Sequence, residues 1–142
     1  MDLRQLSHSI AVSPQITPED VPQLAEAGFR VLINNRPDAE VDSSLDHEVM
    51  AAAAEKEGME YHYLPFSPGQ ITPELITDFA QATAGRGPII AYCRSGHRCT
   101  VLWALSQAGK RPRVEIIDVA RDAGYDLTPV LPLIDSLASR RG

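Results

Sequence analysis

Short apolar segments alternate along this chain with longer segments of helical character, and this alternation limits the folds that are open to it. Residues 29–33, 61–64 and 88–92 are three such apolar segments, and helical stretches lie between them. Antiparallel neighbours can be joined by a tight turn, whereas parallel neighbours need a crossover of roughly a dozen residues or more. We therefore expect a single α/β domain with a mainly parallel central sheet of about four to five strands, flanked by helices on both faces.

Capping signals mark where several of the helices begin. Thr17-Pro18-Glu19 and Thr72-Pro73-Glu74 each combine an N-cap residue, a proline at the first helical position and an acid in the first turn. They predict helices that begin at residues 18 and 73 and end near Gly28 and residue 84. The other predicted elements are a hairpin over 3–6 and 9–12, helices over 45–57 and 98–108, and two helices within 113–140 that are broken at Gly124.

Composition narrows the class of protein. The 142 residues are 44% hydrophobic and 23% charged, which is typical of a globular domain, and we expect one domain over residues 1–142. A net charge of −6 without a Lys/Arg run argues against a nucleic-acid partner. No apolar run approaches the roughly 20 residues of a membrane span, and the N-terminus lacks a signal-peptide h-region, so we expect a cytoplasmic protein with no membrane partner. Two cysteines and scattered histidines predict no disulfide framework, metal site or cofactor.

The segment from Pro88 to Thr100 carries the clearest chemical signal. An apolar strand leads directly to Cys93, which is followed by a polar loop containing Gly96 and then by a helix. The unpaired N–H groups and positive dipole end of that helix, together with Arg94 and Arg98, favour an anion. Such surroundings lower the pKa of a thiol into a range of roughly 3.5–7.5. We interpret Cys93 as an activated nucleophile that handles an anionic group, the alternative being a buried structural cysteine.

Two further loops are predicted to line the same site. Ligands bind outside the carboxyl ends of the strands of an open parallel sheet, and Cys93 follows such an end. The loop Asn34-Asn35-Arg36-Pro37-Asp38 and the loop Pro65-Phe66-Ser67-Pro68-Gly69 each follow another strand end. Within the first of these loops, Arg36 is either a second anion clamp or the structural partner of a nearby carboxylate.

The loop Cys93-Arg94-Ser95-Gly96-His97-Arg98 resembles the active loop of rhodanese-type sulfurtransferases and the signature loop of protein tyrosine and dual-specificity phosphatases. A wider resemblance, over roughly residues 3 to 110, is to the bacterial family described as the phosphatase-like domain of beta-lactamase-hydrolase-like proteins, also called a sulfurtransferase family. The stretches that carry it are Val12-Ser13-Pro14-Gln15-Ile16-Thr17-Pro18-Glu19-Asp20, Ile33-Asn34-Asn35-Arg36-Pro37-Asp38, Pro68-Gly69-Gln70-Ile71-Thr72-Pro73-Glu74 and Tyr92-Cys93-Arg94-Ser95-Gly96. This resemblance implies the fold of the cysteine-dependent protein tyrosine phosphatases.

Two features favour sulfur chemistry over phosphate chemistry. The phosphatase signature has one residue more between its cysteine and arginine than the four that separate Cys93 from Arg98, and the shorter spacing is the rhodanese pattern. Phosphatases of this kind also place an acid in a loop before the cysteine, but residues 64–72 contain no Asp or Glu, which leaves Asp38 as a substitute general acid. The leading hypothesis is therefore a sulfurtransferase that forms a persulfide on Cys93. The alternatives are a phosphatase-like phosphohydrolase that forms a phosphocysteine and a non-enzymatic anion-binding or interaction domain.

The predicted site residues are Cys93 and Arg98 for catalysis; Arg94, Ser95, Gly96, His97, Thr100 and Arg36 for substrate binding; Asp38 as candidate general acid; and Cys99 as candidate redox partner. Ser95, Gly96 and His97 are expected to act through backbone N–H groups, with Gly96 at a positive φ. Thr100 is expected to donate a hydrogen bond to the thiolate, as the corresponding hydroxyl does in phosphatases. Cys99 either resolves an oxidised Cys93 into a disulfide or points away from it on the helix, since a disulfide needs close Cα atoms.

The sulfurtransferase hypothesis also predicts partners. The donor is a small anion such as thiosulfate or a thiol persulfide, and the acceptor is a thiol or cyanide. Domains of the resembled family occur fused to metallo-β-lactamase-like hydrolases, some of which resemble persulfide dioxygenases. The resemblance therefore implies a persulfide dioxygenase that acts in trans, in bacterial sulfide detoxification.

Overall fold

Five strands form one sheet in the computed structural model, which describes residues 1–84 and 87–141. In chain order they are β1 (Arg4–Gln5), β2 (Ile10–Ser13), β3 (Val31–Asn34), β4 (Glu60–Tyr63) and β5 (Ile89–Tyr92). Their order across the sheet is β1-β2-β5-β3-β4, with β1 antiparallel to β2 and all other neighbours parallel. The predicted single-domain α/β fold with a mainly parallel sheet is confirmed, and so is the N-terminal hairpin.

Helices cover both faces of this sheet. They are α1 (Val21–Glu26), α2 (His47–Lys56), α3 (Pro73–Thr83), α4 (His97–Gln107), α5 (Arg113–Asp122) and α6 (Leu131–Arg141). Leu24 of α1 and Met50 of α2 belong to one apolar cluster, whereas Phe79 of α3, Leu102 of α4 and Ile116 of α5 belong to a second cluster. No helix in the described part of the chain is long and apolar enough to cross a membrane.

The central strand β5 is buried from both sides. Ile89 and Ala91 belong to the cluster that contains α3, α4 and α5, and Ile90 and Tyr92 belong to the cluster that contains α1 and α2. Successive side chains of a strand point to opposite faces of a sheet, and a parallel strand covered on both faces is therefore apolar throughout. The continuous apolar run before Cys93 has this physical origin.

The predicted start of the strand at residue 29 differs, because a capping turn follows α1 and includes Phe29. The helix predicted from residue 18 is a 3-10 turn at Pro18–Asp20 that continues into α1, and the N–H of Phe29 closes its end by donating to the carbonyl of Leu24 (3.1 Å). Because Phe29 is held by the helix, β3 begins at Val31 and extends to Asn34. The two predicted tail helices are present as α5 and α6.

The carboxyl ends of the parallel strands coincide at one edge of the sheet. Tyr92 is in register with Ser13 on β2 and Asn34 on β3, and Asn34 is in register with Tyr63 on β4. The loops that follow these four residues therefore leave the sheet side by side. The loop after β5 spans residues 93–96, because α4 begins at His97.

Candidate active site

The loops at this edge contact one another and enclose a cavity. Asn35 joins the loops after β3 and β4, since its Nδ2 donates to the carbonyl of Leu64 (2.8 Å) and its own carbonyl accepts from the N–H of Phe66 (3.3 Å). The N–H of Gln15, after β2, donates to the carbonyl of Arg94 in the cysteine loop (3.4 Å). A cavity of about 510 Å³ is lined by Arg36, Glu40, Pro68, Arg94 and Arg98. The three predicted walls meet as expected, and the loop after β2 joins them.

Cys93 lies at the end of β5, where hydrogen-bond donors converge on its sulfur. The residue is fully buried. The backbone N–H of Gly96 donates to its sulfur (3.1 Å), and the Cys99 thiol and the backbone N–H groups of Cys99 and Ser95 lie around the same atom. These donors, with the Cys99 thiol as the largest contributor, lower the pKa of Cys93 to about 5, although burial alone raises it. Cys93 is therefore a thiolate at neutral pH, as predicted from the sequence.

Gly96 shapes the turn that directs these donors. It is the N-cap of α4 and has a φ of +89°, which is the left-handed region that favours glycine. A Cβ atom at this position would lie 2.2 Å from the hydroxyl oxygen of Tyr125. The Tyr125 hydroxyl itself donates to the carbonyl of Ser95 (2.9 Å). The predicted positive φ is confirmed, and the close approach of Tyr125 is a second reason for glycine.

Cys99, and not Thr100, donates a side-chain hydrogen to the Cys93 sulfur. The hydroxyl of Thr100 donates to the carbonyl of Gly96 (2.8 Å), and a hydroxyl has one hydrogen to give. The expectation for Thr100 was therefore wrong. Burial and the neighbouring Cys93 charge raise the pKa of Cys99 well above its ordinary value, so Cys99 remains a neutral thiol donor. Both cysteines are free thiols, and their pairing in a disulfide stays a prediction.

His97 does not contribute its backbone N–H to the sulfur. That N–H donates to the Oγ of Ser95 (3.3 Å), and the imidazole Nε2 is paired with the carbonyl of Asp126 (3.2 Å). The expectation for His97 therefore requires correction, because the turn at Gly96 directs its N–H back to the loop. Ser95 and Gly96 keep the predicted backbone role.

Arg98 is held in a fixed orientation by three acceptor oxygens, from Glu40 and Phe66 in two other loops. Its Nη2 and Nη1 donate to the two carboxylate oxygens of Glu40 (2.7 and 2.9 Å), and Nη1 also donates to the carbonyl of Phe66 (3.1 Å). Only 12% of the side chain is exposed. The hydrogen bonds to Arg98 and, second, to Arg36 lower the pKa of Glu40, and the same contact raises the pKa of Arg98. Of the five guanidinium N–H groups, Nε–H and one Nη2–H remain on one edge of the plane.

Arg36 lines the cavity and is also paired with Glu40. Its Nε donates to a carboxylate oxygen of Glu40 (3.4 Å), its Nη2 to the Glu40 carbonyl (3.1 Å) and its Nη1 to Oε1 of Gln15 (3.1 Å). The alternative of structural pairing with a carboxylate is therefore confirmed, and the role of Arg36 as a second anion clamp stays a prediction. Arg94 is exposed and lines the cavity with it.

Asp38 is directed away from this cavity. Its carboxylate accepts a hydrogen bond from the backbone N–H of His47 (2.8 Å) and pairs with the imidazole Nδ1 of the same residue. The imidazole stacks on the ring of Tyr63 (centroids 4.4 Å apart), whose hydroxyl accepts from the N–H of Asp38 (2.9 Å). Asp38 thus caps the start of α2, and this arrangement does not support it as the general acid.

The cavity lining contains one carboxylate, and both of its oxygens are committed to arginine. Among the residues that line it, Glu40 is the only acid, and its lowered pKa keeps it ionised. A proton donor for a leaving group is therefore absent from the described lining. Within residues 1–84 and 87–141 no group of three His, Cys, Asp or Glu side chains is arranged to hold a metal ion.

Three residues of the site were missed by reasoning from the sequence. Glu40 fixes Arg98, Gln15 contacts both Arg36 and the cysteine loop, and Tyr125 packs under Gly96. A signal was available for Glu40 alone, since an acid in a loop at the same sheet edge is the expected partner of a loop arginine.

Comparisons with known proteins agree with this architecture. Residues 2–110 match the family described as "Beta-lactamase hydrolase-like protein, phosphatase-like domain". A beta-lactamase hydrolase-like protein of Agrobacterium fabrum is 36% identical over 122 residues, which are 84% of this chain and 28% of that protein. A similar protein of Xylella fastidiosa is 31% identical over 89% of this chain and 30% of its own length. The chain thus spans less than a third of these relatives.

A solved structure shares almost the whole fold. The crystal structure of a Neisseria meningitidis protein, described only as a candidate phosphatase, has a TM-score of 0.83 and 32% identity, and the alignment covers 96% of this chain and 99% of that one. The active form of Tk-PTP has a TM-score of 0.76 at 16% identity, with 98% and 97% of the two chains covered, and this likeness concerns the fold. The fold implied by the cysteine loop, that of the protein tyrosine phosphatases, is therefore confirmed.

Replacement of Cys99 by Ala tests which neighbour stabilises the thiolate. Loss of the thiol donor is expected to raise the pKa of Cys93 by about one unit, because a hydrogen bond to a charged group contributes roughly 1.5–3 kcal/mol. This pKa is measured from the ultraviolet absorbance of the thiolate as a function of pH, after subtraction of the absorbance of Cys93→Ser. Thr100→Val is the matched control: the Thr100 N–H still donates to the Gly96 carbonyl, so the titration is expected to stay unchanged. A raised pKa of Cys93 in Thr100→Val, together with an unchanged pKa in Cys99→Ala, contradicts the assignment of Cys99 as the donor.

Proposed function

The chain belongs to the family described as the phosphatase-like domain of beta-lactamase hydrolase-like protein, and we propose that it is a phosphohydrolase that uses Cys93 as a phosphocysteine nucleophile. One observation carries this proposal: a buried thiolate lies next to an arginine whose orientation is fixed by Glu40 and Phe66. The candidate phosphatase of Neisseria meningitidis, at 32% identity over nearly the full chain, supports phosphate as the group transferred.

Arg98 binds the phosphoryl group in this proposal. Its Nε–H and remaining Nη2–H are parallel donors on one edge of the guanidinium, which matches two oxygens of a phosphate. Glu40 and Phe66 accept hydrogen bonds from the other N–H groups of Nη1 and Nη2, and we propose that the free edge faces the cavity that Arg98 lines. The positive charge of Arg98 and the N-terminus of α4 stabilise the charge that develops on the phosphoryl oxygens.

The first half of the reaction transfers the phosphoryl group to sulfur. The Cys93 thiolate attacks phosphorus, the bond between phosphorus and the leaving oxygen breaks, and that oxygen leaves with the bonding electrons. Cys93 has no exposed surface in the free protein, so the substrate reaches it only after the loop N–H groups turn from the sulfur to the phosphoryl oxygens. The same donors then bind the phosphocysteine.

The second half returns the enzyme to its starting state. A water molecule attacks phosphorus, the phosphorus–sulfur bond breaks, and orthophosphate leaves while the thiolate is restored. The low pKa of Cys93 makes the thiolate a good leaving group in this step. No external oxidant, reductant or cofactor is consumed.

The lack of a proton donor in the cavity lining restricts the substrate. Glu40 is ionised and bound to two arginines, so the leaving oxygen departs without general-acid assistance. A general acid contributes typically about 10²–10⁴ to the rate, and alkyl phosphates need that contribution most. We therefore propose aryl phosphates, acyl phosphates or phosphoric anhydrides, which have acidic leaving groups, as the substrate class.

Hydrolysis of two phosphate monoesters tests this proposal. The wild type is expected to hydrolyse p-nitrophenyl phosphate and to hydrolyse glycerol phosphate more slowly by about 10²–10⁴ in kcat/KM, because only the alkyl leaving group needs an acid. Cys93→Ser is expected to lose both activities, and Lys110→Gln, in the turn that follows α4, to keep both. Glu40→Gln is expected to lower kcat/KM by about 10²-fold, because Arg98 loses its orientation. Full activity of Cys93→Ser contradicts the proposal.

Sulfur transfer is the second candidate, and the small size of the loop around the Cys93 sulfur favours it. Gly96 N–H lies 3.1 Å from the Cys93 sulfur, and three backbone donors converge on this single atom in a loop shorter than the phosphatase signature. In this reaction the thiolate attacks the outer sulfur of thiosulfate and sulfite leaves, so that Cys93 holds a persulfide. Cyanide then removes the outer sulfur as thiocyanate, and no acid is needed.

Mass spectrometry of the intact protein distinguishes sulfur transfer from phosphoryl transfer. If Cys93 transfers sulfur, the reduced wild type is expected to gain one sulfur atom after brief incubation with thiosulfate or glutathione persulfide, and Cys93→Ser is expected to gain none. Subsequent addition of cyanide is expected to remove the gain and release thiocyanate. No uptake from either donor overturns sulfur transfer while leaving phosphoryl transfer to its own test.

A further inference from the structure

The cavity lining contains two arginines besides Arg98, the one assigned to the phosphoryl group. They are Arg36 and Arg94, and the lining contains one carboxylate, Glu40. The chain as a whole has a formal net charge of −6, so this concentration of positive charge is local. Like charges that lie close together repel one another, and an anion between them relieves the repulsion.

The carboxylate of Glu40 binds Arg98 more closely than it binds Arg36. Both oxygens of Glu40 lie at 2.7 and 2.9 Å from Arg98, whereas its contact with the Nε of Arg36 is 3.4 Å. The other acceptors of Arg36 are neutral oxygens, the Glu40 carbonyl and the Gln15 side chain. Two N–H groups of the Arg36 guanidinium therefore remain for a further acceptor.

Arg94 is the least compensated of the three arginines. Its side chain is exposed at the cavity, and within residues 1–84 and 87–141 it forms no hydrogen bond or ion pair. A guanidinium without a protein partner beside a second, partly compensated guanidinium is suited to bind an external anion.

Gln15 sets the position of this pair. Its side-chain oxygen accepts from Nη1 of Arg36 (3.1 Å), and its backbone N–H donates to the carbonyl of Arg94 (3.4 Å). One residue thus contacts both the loop after β3 and the cysteine loop. All three arginines line the same cavity, and the pKa of Arg98 is raised by its hydrogen bonds to Glu40 and, further, by the charge of Cys93.

We infer that Arg36 and Arg94 form a second anion subsite, and that the substrate has a second anionic group, a phosphate or a carboxylate, on the side that leaves. This inference rests on the proposed function for the identity of the first group and narrows its substrate class to doubly anionic phosphates. The transferred phosphoryl group binds Arg98 above Cys93, and the second anion binds Arg36 and Arg94.

Calorimetric titration of Cys93→Ser protein with inorganic anions tests this inference without any turnover. Orthophosphate and sulfate each present one anionic centre, and pyrophosphate presents two. Pyrophosphate is expected to bind at least about tenfold more tightly than orthophosphate at equal ionic strength, since one additional charge-assisted hydrogen-bonded contact contributes roughly 1.5–3 kcal/mol. When Arg94→Gln or Arg36→Gln is combined with Cys93→Ser, most of the tighter binding of pyrophosphate is expected to be lost. The affinity for orthophosphate is expected to change by less than about threefold.

Lys110→Gln, added to the same protein, is the matched control for the loss of one positive charge. Lys110 is exposed in the turn that follows α4, and its replacement is expected to leave both affinities unchanged. Equal affinity of the two phosphates, or equal weakening of both by Arg94→Gln and Arg36→Gln, overturns the second subsite. Because binding is measured in the absence of the nucleophile, this failure is distinct from a failure of phosphohydrolase activity. Melting temperatures of the variants confirm that they are folded.

Discussion

The hydrogen bonds that converge on the Cys93 sulfur are the interaction on which the rest of the site depends. A thiolate buried without donors is costly, and burial by itself raises the pKa of a thiol. Here the Cys99 thiol and three backbone N–H groups reverse that effect, and the pKa falls to about 5. The turn at Gly96 and its contact with Tyr125 maintain the direction of these donors. A nucleophile is thus available at neutral pH without a neighbouring base.

The sheet places this nucleophile among its charged partners. Because the carboxyl ends of β2, β3, β4 and β5 coincide, loops that are distant in sequence lie side by side. Glu40 and Arg98 meet in this way across 58 positions of the chain. Their contact does more than neutralise charge, since it fixes the guanidinium while leaving Nε–H and one Nη2–H for a further acceptor. The fold therefore orients Arg98 for binding an anion. The family membership leads us to expect that this anion is a phosphate.

Local signals in the sequence predicted the fold well and the site in part. Capping residues such as Thr72 and the apolar run before Cys93 act over a few positions, so helices and strands followed from them. Cys93, Arg36 and Arg98 were identified because their chemistry is recognisable at strand ends. Glu40, Gln15 and Tyr125 were not, because only tertiary contacts give them a role. The choice of Thr100 over Cys99 as donor failed for a related reason, since side-chain direction within a helical turn is not encoded in spacing alone.

The covalent intermediate tests the central claim most directly. Wild-type protein is mixed with p-nitrophenyl phosphate, quenched rapidly and examined by intact-mass and peptide mass spectrometry. The account predicts the mass of one phosphoryl group on Cys93, its appearance before steady-state turnover and its absence from Cys93→Ser. Consumption of the substrate with no such adduct, or with the phosphoryl group on another residue, contradicts it.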